Sequence, residues 1–286
     1  MSSSDYERPI GPWPRAVRPQ GAIRLMTADE LRTSIIYEDE RLFVVNKPGD
    51  MVCHPSKDGP WSSLVGAVRE YLCLGSVHLI FRLDRETSGV VVIAKDERTG
   101  SRLQVAAQER RYAKKYLAIL TGELAAETVV DQPLGPDLTG PVMVKSCVVP
   151  AGKGQNAITR YTPLVARNGF TLVRVLTETG RKHQIRAHAQ WLGHTMVGDK
   201  IYGPDQNLFL EFVKHGWTPA LAEKLLLPRQ ALHCAEIDLT LAGHEHVFRA
   251  PLPVDLTAFL EKHLHIHDFD TALKTKSENR SFDTQE

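Results

Sequence analysis

The sequence predicts an α+β fold in which a mixed, largely antiparallel central sheet is flanked by helices. Strand-type and helix-type periodicities interleave along the 286 residues without the regular alternation that produces a parallel βαβ sheet. No internal repeat of solenoid length is present. The run VVVIA at 90–94 is short, β-branched and apolar at every position, which is typical of a strand buried on both faces. We expect the sheet to be organised around this strand.

The other elements follow from the spacing of apolar residues and from turn and capping residues. Ser62 and Asp96 are candidate N-caps of two helices, and Gly122 and Gly193 are expected to end a strand and a helix. The predicted elements are a hairpin of 35–37 and 42–45, helices over 61–72, 96–110, 181–193, 208–214, 221–226 and 251–263, strands over 112–122, 157–165, 170–177 and 235–241, and a loop-rich insertion over 123–154 with weak strands such as 142–144.

Composition divides the chain into three segments. Residues 1–34 are proline-rich with little periodicity, which predicts an extended arm. Residues 35–267 form the predicted compact domain, and the polar residues 268–286 are expected to be a disordered tail. No apolar stretch is long enough to cross a bilayer, and the N-terminus lacks the apolar core of a signal peptide. We therefore expect a cytoplasmic protein without membrane contact, and we expect it to be a monomer.

The cysteines give no sign of a metal site or a disulfide framework. They lack CxxC or Cys/His ligand spacing, so we expect all four to be reduced and buried. They are Cys53, Cys73, Cys147 and Cys234.

Charge is balanced over the whole chain but not locally. The sequence has 35 Lys plus Arg against 34 Asp plus Glu, so net charge indicates no particular partner. Residues 82–115, however, carry nine bases and five acids, and residues 181–200 carry four bases and one acid. Two solvated helix faces would explain these segments. If instead they converge in space, with aromatic residues beside them, they form a surface suited to RNA.

Three polar motifs stand out together. They are RLDRETSG at 82–89, YAKKYLA at 112–118 and TGRKHQIR at 179–186, with supporting segments NKP at 46–48, GDKIYG at 198–203 and QALHC at 230–234. In this order they resemble the RluA-type pseudouridine synthases, over roughly residues 35–260. Each motif alone has modest specificity, whereas their joint occurrence is highly specific. Two departures concern the subfamily: Phe81 stands where the family usually has His, and Asp50 stands where it usually has Gly.

The resemblance implies a pseudouridine synthase fold for the domain at 35–267 and an activity. Such enzymes isomerise uridine to pseudouridine in structured RNA by flipping the base out of its stack. The implied partner is a ribosomal or transfer RNA stem-loop, and the chemistry needs neither a metal nor an organic cofactor. By this resemblance the chain is expected to be an isomerase.

The same resemblance assigns three catalytic residues. Asp84 matches the catalytic aspartate, and an ordinary Asp, with a pKa of about 3.9, is an ionised nucleophile at neutral pH. Attack on C1′, proton abstraction at C2′ and addition to the uracil ring all remain open. Tyr116 matches the active-site tyrosine, whose ring stacks on uracil and whose hydroxyl assists loss of the C5 proton. Arg186 matches the basic residue expected to pair with Asp84 and keep it ionised.

Four further residues are expected to bind RNA. Arg82 is expected to fill the space that the flipped nucleotide leaves, or to hold its phosphate. Arg181 and His183 are expected to meet RNA phosphate or to support the site near a helix start. Lys114, within the YAKKYLA motif at 112–118, completes the predicted set.

The same residues also allow other interpretations. Asp84 in a surface ion pair, Tyr116 packed against the core and Arg186 as a solvated helix residue are the structural alternatives. A non-catalytic RNA-binding protein would be expected to lack one of these three residues. An aspartic hydrolase would need a second carboxylate motif, which the sequence does not supply. His183, His188 and His194 lack ligand spacing on a helix face, and the alternating histidines at 263, 265 and 267 suit weak, adventitious chelation, so no metal is predicted.

Overall fold

The computed structural model describes residues 23–55 and 58–268. Its helices are α1 (Ala28–Thr33), α2 (Leu64–Tyr71), α3 (Glu97–Gln108), α4 (Gln184–Trp191), α5 (Asn207–His215), α6 (Pro219–Leu225) and α7 (Val254–Phe259), the last continued by a π-helical turn at Leu260–Leu264. Its strands are β1 (Ile35–Glu38), β2 (Leu42–Lys47), β3 (His78–Leu79), β4 (Ser88–Ala94), β5 (Ala113–Thr121), β6 (Thr128–Asp131), β7 (Leu134–Pro136), β8 (Ser146–Val148), β9 (Ile158–Arg167), β10 (Phe170–Thr177), β11 (Leu232–Asp238) and β12 (Val247–Arg249).

Ten strands form one central sheet. Its main order is β1-β2-β4-β11-β5-β10-β9-β6, with β3 paired to β4 and β12 paired to β11. The β4–β11 pairing is parallel, and the other strand pairings of this sheet are antiparallel. The prediction of a mixed, largely antiparallel sheet with flanking helices is therefore confirmed. No helix within 23–55 and 58–268 has the length and apolar character that crossing a membrane requires.

Strand β4 lies inside the sheet, as the apolar run at 90–94 predicts. All seven of its residues are buried, and it pairs with β2 on one side and β11 on the other. Gly89 has a φ of +116°, and a Cβ there would lie 2.2 Å from the Cys234 carbonyl oxygen. Any residue with a Cβ would push β11 away from the first residues of β4, which follow the loop that carries Asp84. The loop at residues 80–87 therefore leads directly into a rigid, buried strand.

The two faces of the sheet are covered by separate cores. Along β5, alternate side chains point to opposite faces. Tyr116, Ala118 and Leu120 belong to the larger core, which contains the β2 and β4 side chains, whereas Leu117 and Ile119 belong to a second core with α7. Tyr116 is thus placed on the face of the sheet that also holds the loop before β4.

Several boundaries differ from the sequence predictions for local reasons. Ser63, not Ser62, caps α2 by accepting from the Gly66 N–H, because residues 60–62 form a separate 3₁₀ turn. Residues 142–144 form a turn, and the strands of the insertion are β6, β7 and β8. Strand β11 begins three residues before the predicted strand at 235–241. Asp96 does cap α3, accepting from the Thr99 N–H at 2.8 Å.

The predicted arm contains a folded part. Helix α1 begins with a capping box of Thr27 and Glu30, and Leu31 is buried in the larger core. The Met26 N–H donates to the Trp61 carbonyl oxygen, which ties this segment to the residues before α2. The remaining predictions for the arm at 1–22 and for a disordered tail at 269–286 lie outside the described residues.

The four cysteines are free, as expected, but they are not all buried. Cys53 and Cys234 are buried, Cys147 is partly exposed and Cys73 is exposed. Cys73 follows the end of α2 with a φ of +53°, so the turn directs it away from the core.

Candidate active site

Asp84 lies in the loop between β3 and β4, where the chain turns before entering the sheet. The Thr87 N–H donates to the Asp84 carbonyl oxygen at 3.1 Å, which closes the turn. The Thr87 hydroxyl in turn accepts from the Gln230 side-chain amide at 2.8 Å. These bonds tie the loop to the start of β11, so the Asp84 carboxylate projects from a backbone with little freedom.

Arg186 pairs with Asp84, as the sequence motif predicts. Its Nη1 donates to Asp84 Oδ2 at 2.8 Å from helix α4, 102 residues further along the chain. The same guanidinium makes two bonds to Asp199, from Nε at 2.6 Å and from Nη2 at 2.8 Å. One arginine therefore joins two carboxylates, and it does so with only 5% of its side chain exposed.

The ion pair sets the charge of Asp84. Burial is the largest single influence and raises the pKa of the Asp84 carboxyl, but the positive charge of Arg186 and the hydrogen bonds from Arg186 and Gln230 act together in the opposite direction, and this pKa lies below its ordinary value. Asp199 has a lowered pKa for the same reasons, aided by the N–H groups of Ile201 and Tyr202, which both donate to its Oδ1 at 3.0 Å. Both carboxylates are therefore ionised at neutral pH.

Tyr116 lies on β5 in the same small cavity as Asp84. The cavity has a volume of about 90 Å³ and also includes Thr87, Arg186 and Leu232. Burial and then the neighbouring Cys234 raise the pKa of Tyr116 well above its ordinary value of 10, so the phenol keeps its proton. The small cavity is thus lined by the Asp84 carboxylate and by the neutral hydroxyl and flat ring of Tyr116.

A larger cleft of about 1000 Å³ lies next to this cavity and shares Arg82, Asp84, Lys114, Arg181 and His183 with it. The two basic segments of the sequence meet here, one on each side. The cations lining this cleft are Arg82, Arg85, Arg110, Lys114, Arg181 and Lys182. The convergence that the charge pattern left open therefore occurs, and the cleft is positively charged at the entrance to Asp84.

Of these cations, Arg82 and Arg181 are exposed and Lys114 is half-buried. Arg82 Nη1 donates to His54 Nε2 at 3.0 Å, and Arg181 Nε donates to the Asn156 carbonyl oxygen at 3.0 Å. The Lys114 ammonium lies 5.4 Å from the centre of the Phe81 ring and 5.7 Å from that of Tyr112, a cation–π arrangement. Burial lowers the pKa of Lys114.

His183 is placed differently from the exposed cations. Its side chain is 11% exposed, and its Nε2 lies 3.8 Å from Asp84 Oδ2. Burial, followed by the charge of Arg186, lowers the pKa of His183 to about 4, so the ring is neutral at pH 7. It forms no ion pair with Asp84 there. Its backbone is left-handed, with φ +55° and ψ +20°, a conformation that costs about 1–2 kcal/mol for a residue with a Cβ.

Three residues of the site were missed by sequence reasoning. Asp199 is fully buried behind Arg186 and belongs to the GDKIYG segment, which supports the family resemblance without assigning this residue a role. Lys47 is fully buried and donates to the carbonyl oxygens of Pro48, Met51 and Arg85, which fixes the loop carrying Asp84. Gln230 lies 3.5 Å from Asp84 Oδ2, at the limit of a hydrogen bond. Two sequence signals could have identified these charged residues. Lys47 ends an apolar strand, and Asp199 lies inside a segment that matches the family.

The described part of the chain contains no group of three or more His, Cys, Asp or Glu side chains placed to hold a metal ion. His188, for example, bonds to the Thr159 hydroxyl and the Gln132 carbonyl oxygen. Of the acids near Asp84, Asp199 is engaged by Arg186 and by backbone N–H groups, and Glu86 is paired with Lys200.

Comparison with known proteins defines the class. Residues 41–191 match the family model described as RNA pseudouridylate synthase. The solved structure of human RNA pseudouridylate synthase domain containing 4 superposes with a TM-score of 0.65, at 25% identity, over 83% of this chain and 95% of that one. The chain belongs to the RNA pseudouridylate synthase family, and its fold is the pseudouridine synthase fold. It is an isomerase that converts uridine to pseudouridine in RNA.

Two relatives show the similarity at the level of sequence. The ribosomal large subunit pseudouridine synthase D of Vibrio parahaemolyticus is 34% identical over 82% of this chain and 71% of its own length. A Bacillus subtilis protein described as an uncharacterized RNA pseudouridine synthase, YjbO, is 32% identical over 84% of this chain and 80% of its own. The RluA-type resemblance of the three sequence motifs is therefore confirmed.

Proposed function

We propose that this protein forms pseudouridine in large-subunit ribosomal RNA, acting as a cytoplasmic monomer. The observation that carries the proposal is the pairing of two cavities. The small one encloses Asp84 and Tyr116, and the large, basic one lies at its entrance. In this proposal the uracil base of a flipped uridine enters the small cavity, while its ribose and the flanking RNA strand lie in the large cleft beside the cations.

Asp84 is the reacting carboxylate in this proposal. Its Oδ2 is held by Arg186, and its side chain is 31% exposed, so the carboxylate faces the cavity in ionised form. Arg186 keeps the group charged and oriented, and it takes its own position from Asp199. Tyr116 stacks on the uracil ring, and its neutral hydroxyl assists the transfer of the C5 proton.

The cations at the entrance bind the RNA backbone. Arg82 occupies the space that the flipped nucleotide leaves in the RNA, because it is exposed and lies two residues before Asp84 in the same loop. Arg181 and Lys114 contact phosphate on either side of the cavity. His183 lines both cavities together with Arg181 and Lys114, and it contacts the bound nucleotide itself.

The choice of ribosomal RNA is supported by the relatives. Several proteins 31–34% identical to this chain are described as ribosomal large subunit pseudouridine synthases. Transfer RNA is the other stem-loop RNA that a cleft of this kind accommodates.

The test is pseudouridine mapping of ribosomal and transfer RNA from cells with and without the gene. We expect one or more large-subunit sites to lose pseudouridine in the deletion strain. The wild-type gene should restore them, and a gene carrying Asp84→Asn should not. Loss confined to transfer RNA would overturn the ribosomal assignment, and an unchanged map of both RNAs would overturn the proposed substrate altogether.

A further inference from the structure

His183 presents one nitrogen to the protein and the other to the cavity. Its Nδ1 lies 3.0 Å from the Tyr202 hydroxyl oxygen, and its ring meets the Tyr202 ring edge-on, with centroids 5.6 Å apart. Its Nε2 points towards Asp84 Oδ2 at 3.8 Å, which is beyond hydrogen-bond distance. The left-handed backbone of His183 aims the ring in this direction just before α4 begins.

The hydrogen bonds around Tyr202 determine which nitrogen carries the proton. The Ser146 N–H donates to the Tyr202 hydroxyl oxygen at 2.8 Å. Among the described residues, the hydroxyl proton has one acceptor in reach, His183 Nδ1. A neutral imidazole carries a single proton, so a ring that accepts at Nδ1 must be protonated at Nε2.

Tyr202 is well placed to enforce this choice. Its side chain is fully buried, and the Arg186 guanidinium lies over its ring at 4.9 Å from the ring centre. Its backbone N–H is held by Asp199. The same arginine and carboxylate that orient Asp84 therefore also fix the hydroxyl that faces His183.

Burial and the surrounding charges together favour the neutral form of the His183 ring. Arg186 and Lys182 oppose protonation, Asp84 and Asp199 favour it, and burial opposes it most strongly. A neutral donor beside Asp84 has a chemical advantage over a cation, because it offers a hydrogen bond without neutralising the carboxylate.

We propose that His183 donates a hydrogen bond from Nε2 to an oxygen of the nucleotide held against Asp84, and that Tyr202 is the positioning residue that locks this tautomer. The proposal rests on the assignment of the Asp84 cavity as the nucleotide site. It replaces the expectation that His183 meets RNA phosphate, since a neutral, buried ring is poorly suited to an anion at the surface.

The tautomer is measured by NMR on the full chain labelled with ¹⁵N-histidine, at pH 7 and without RNA. The His183 signals are identified by their loss in His183→Asn, a substitution chosen because Asn tolerates the left-handed backbone. We expect a protonated Nε2 and an unprotonated Nδ1, and we expect Tyr202→Phe to admit the other tautomer. A protonated Nδ1 or a charged ring in the wild type would overturn the proposal.

Kinetics provide the second measurement, with an unmodified transcript of the RNA identified by mapping. Tyr202→Phe should slow the single-turnover rate about tenfold, the worth of one hydrogen bond, while RNA affinity stays the same. His183→Asn should slow it about 100-fold, since the shorter Asn amide ends near the position of Nδ1 and places no donor where the Nε2–H lies. Tyr37→Phe is the matched control, because the Tyr37 hydroxyl also contacts a histidine, His246, but outside both cavities.

These outcomes separate the two proposals. If the wild type modifies no ribosomal RNA, the proposed substrate fails, whereas the NMR result still decides the tautomer. If the wild type is active and Tyr202→Phe retains both its rate and its tautomer, the role of Tyr202 is overturned. A His183→Asn enzyme with the wild-type rate would overturn the role of His183.

Discussion

Asp84 and Asp199 share the guanidinium of Arg186 but lie in contrasting surroundings. Asp199 has no exposed side-chain surface, and it accepts two bonds from Arg186 and two from backbone N–H groups. Asp84 is 31% exposed, accepts one bond from Arg186 and lines the cavity. A carboxylate that is fully buried and accepts four hydrogen bonds suits support, whereas one that keeps accessible oxygen suits chemistry. The difference in hydrogen bonding thus separates a structural acid from a reacting one.

The largest effect is expected when the shared cation is removed. Arg186→Ala leaves two carboxylates without their partner, one of them fully buried, so stability should fall by about 3–5 kcal/mol. Activity should fall more than 100-fold, because Asp84 loses both its orientation and the charge that keeps it ionised. Thermal melting and tritium release from C5-labelled uridine RNA measure the two losses. Arg160→Ala, which breaks a pair with Glu127 outside both cavities, is the control and should change neither by much.

Asp199→Asn should affect stability more than chemistry. Asn keeps the size of the side chain but leaves Arg186 without its buried countercharge, so we expect a loss of about 2–3 kcal/mol. The rate should fall about tenfold at a temperature where the variant is folded, because Arg186 is held less firmly. A variant with wild-type melting and no activity would contradict the supporting role of Asp199.

Arg82→Ala tests the rim of the cleft. Arg82 is exposed and bonds to His54, so its removal should change stability by less than about 0.5 kcal/mol. The rate of pseudouridine formation should fall about tenfold if the side chain replaces the flipped nucleotide in the RNA. Arg98→Ala on the exposed side of α3 is the matched control. Equal losses of melting temperature and rate would show that Arg82 is structural.

The smallest effect is a difference in acid stability. The folded-state pKa values of Asp84 and Asp199 lie below the ordinary value of 3.8. Their contribution to stability is therefore complete above that pH and is lost as pH falls through the lowered values. The difference in stability between the wild type and Asp199→Asn should be constant from pH 7 to about pH 5 and shrink below pH 4. A difference that stays constant down to pH 2 would mean that the Asp199 pKa is not lowered.

Several secondary-structure elements could be predicted from the sequence because they depend on neighbouring residues only. The uninterrupted apolar run predicts a buried strand at β4, and Asp96 predicts the start of α3. The pairing of Asp84 with Arg186 was also predicted, but from resemblance to a family. The two residues are far apart in the chain, so local patterns do not indicate their contact.

Other features depend on tertiary packing, which local sequence does not encode. Asp199 acquires its role because the loop that carries it and the loop that carries Asp84 both meet Arg186. His183 lies in a segment with a helical pattern, yet the structure gives it a left-handed backbone and starts α4 one residue later. Ser62 and Ser63 are equivalent as capping residues, and the 3₁₀ turn before α2 decides between them.

The central claim is that Asp84, the cavity-facing member of the pair, is the reacting carboxylate. It is tested most directly with Asp84→Asn under single-turnover conditions, measuring both tritium release from C5-labelled uridine RNA and RNA affinity. We predict a rate more than about 1000-fold below that of the wild type, with RNA binding and melting temperature preserved. Unchanged turnover by the Asp84→Asn enzyme would contradict the account.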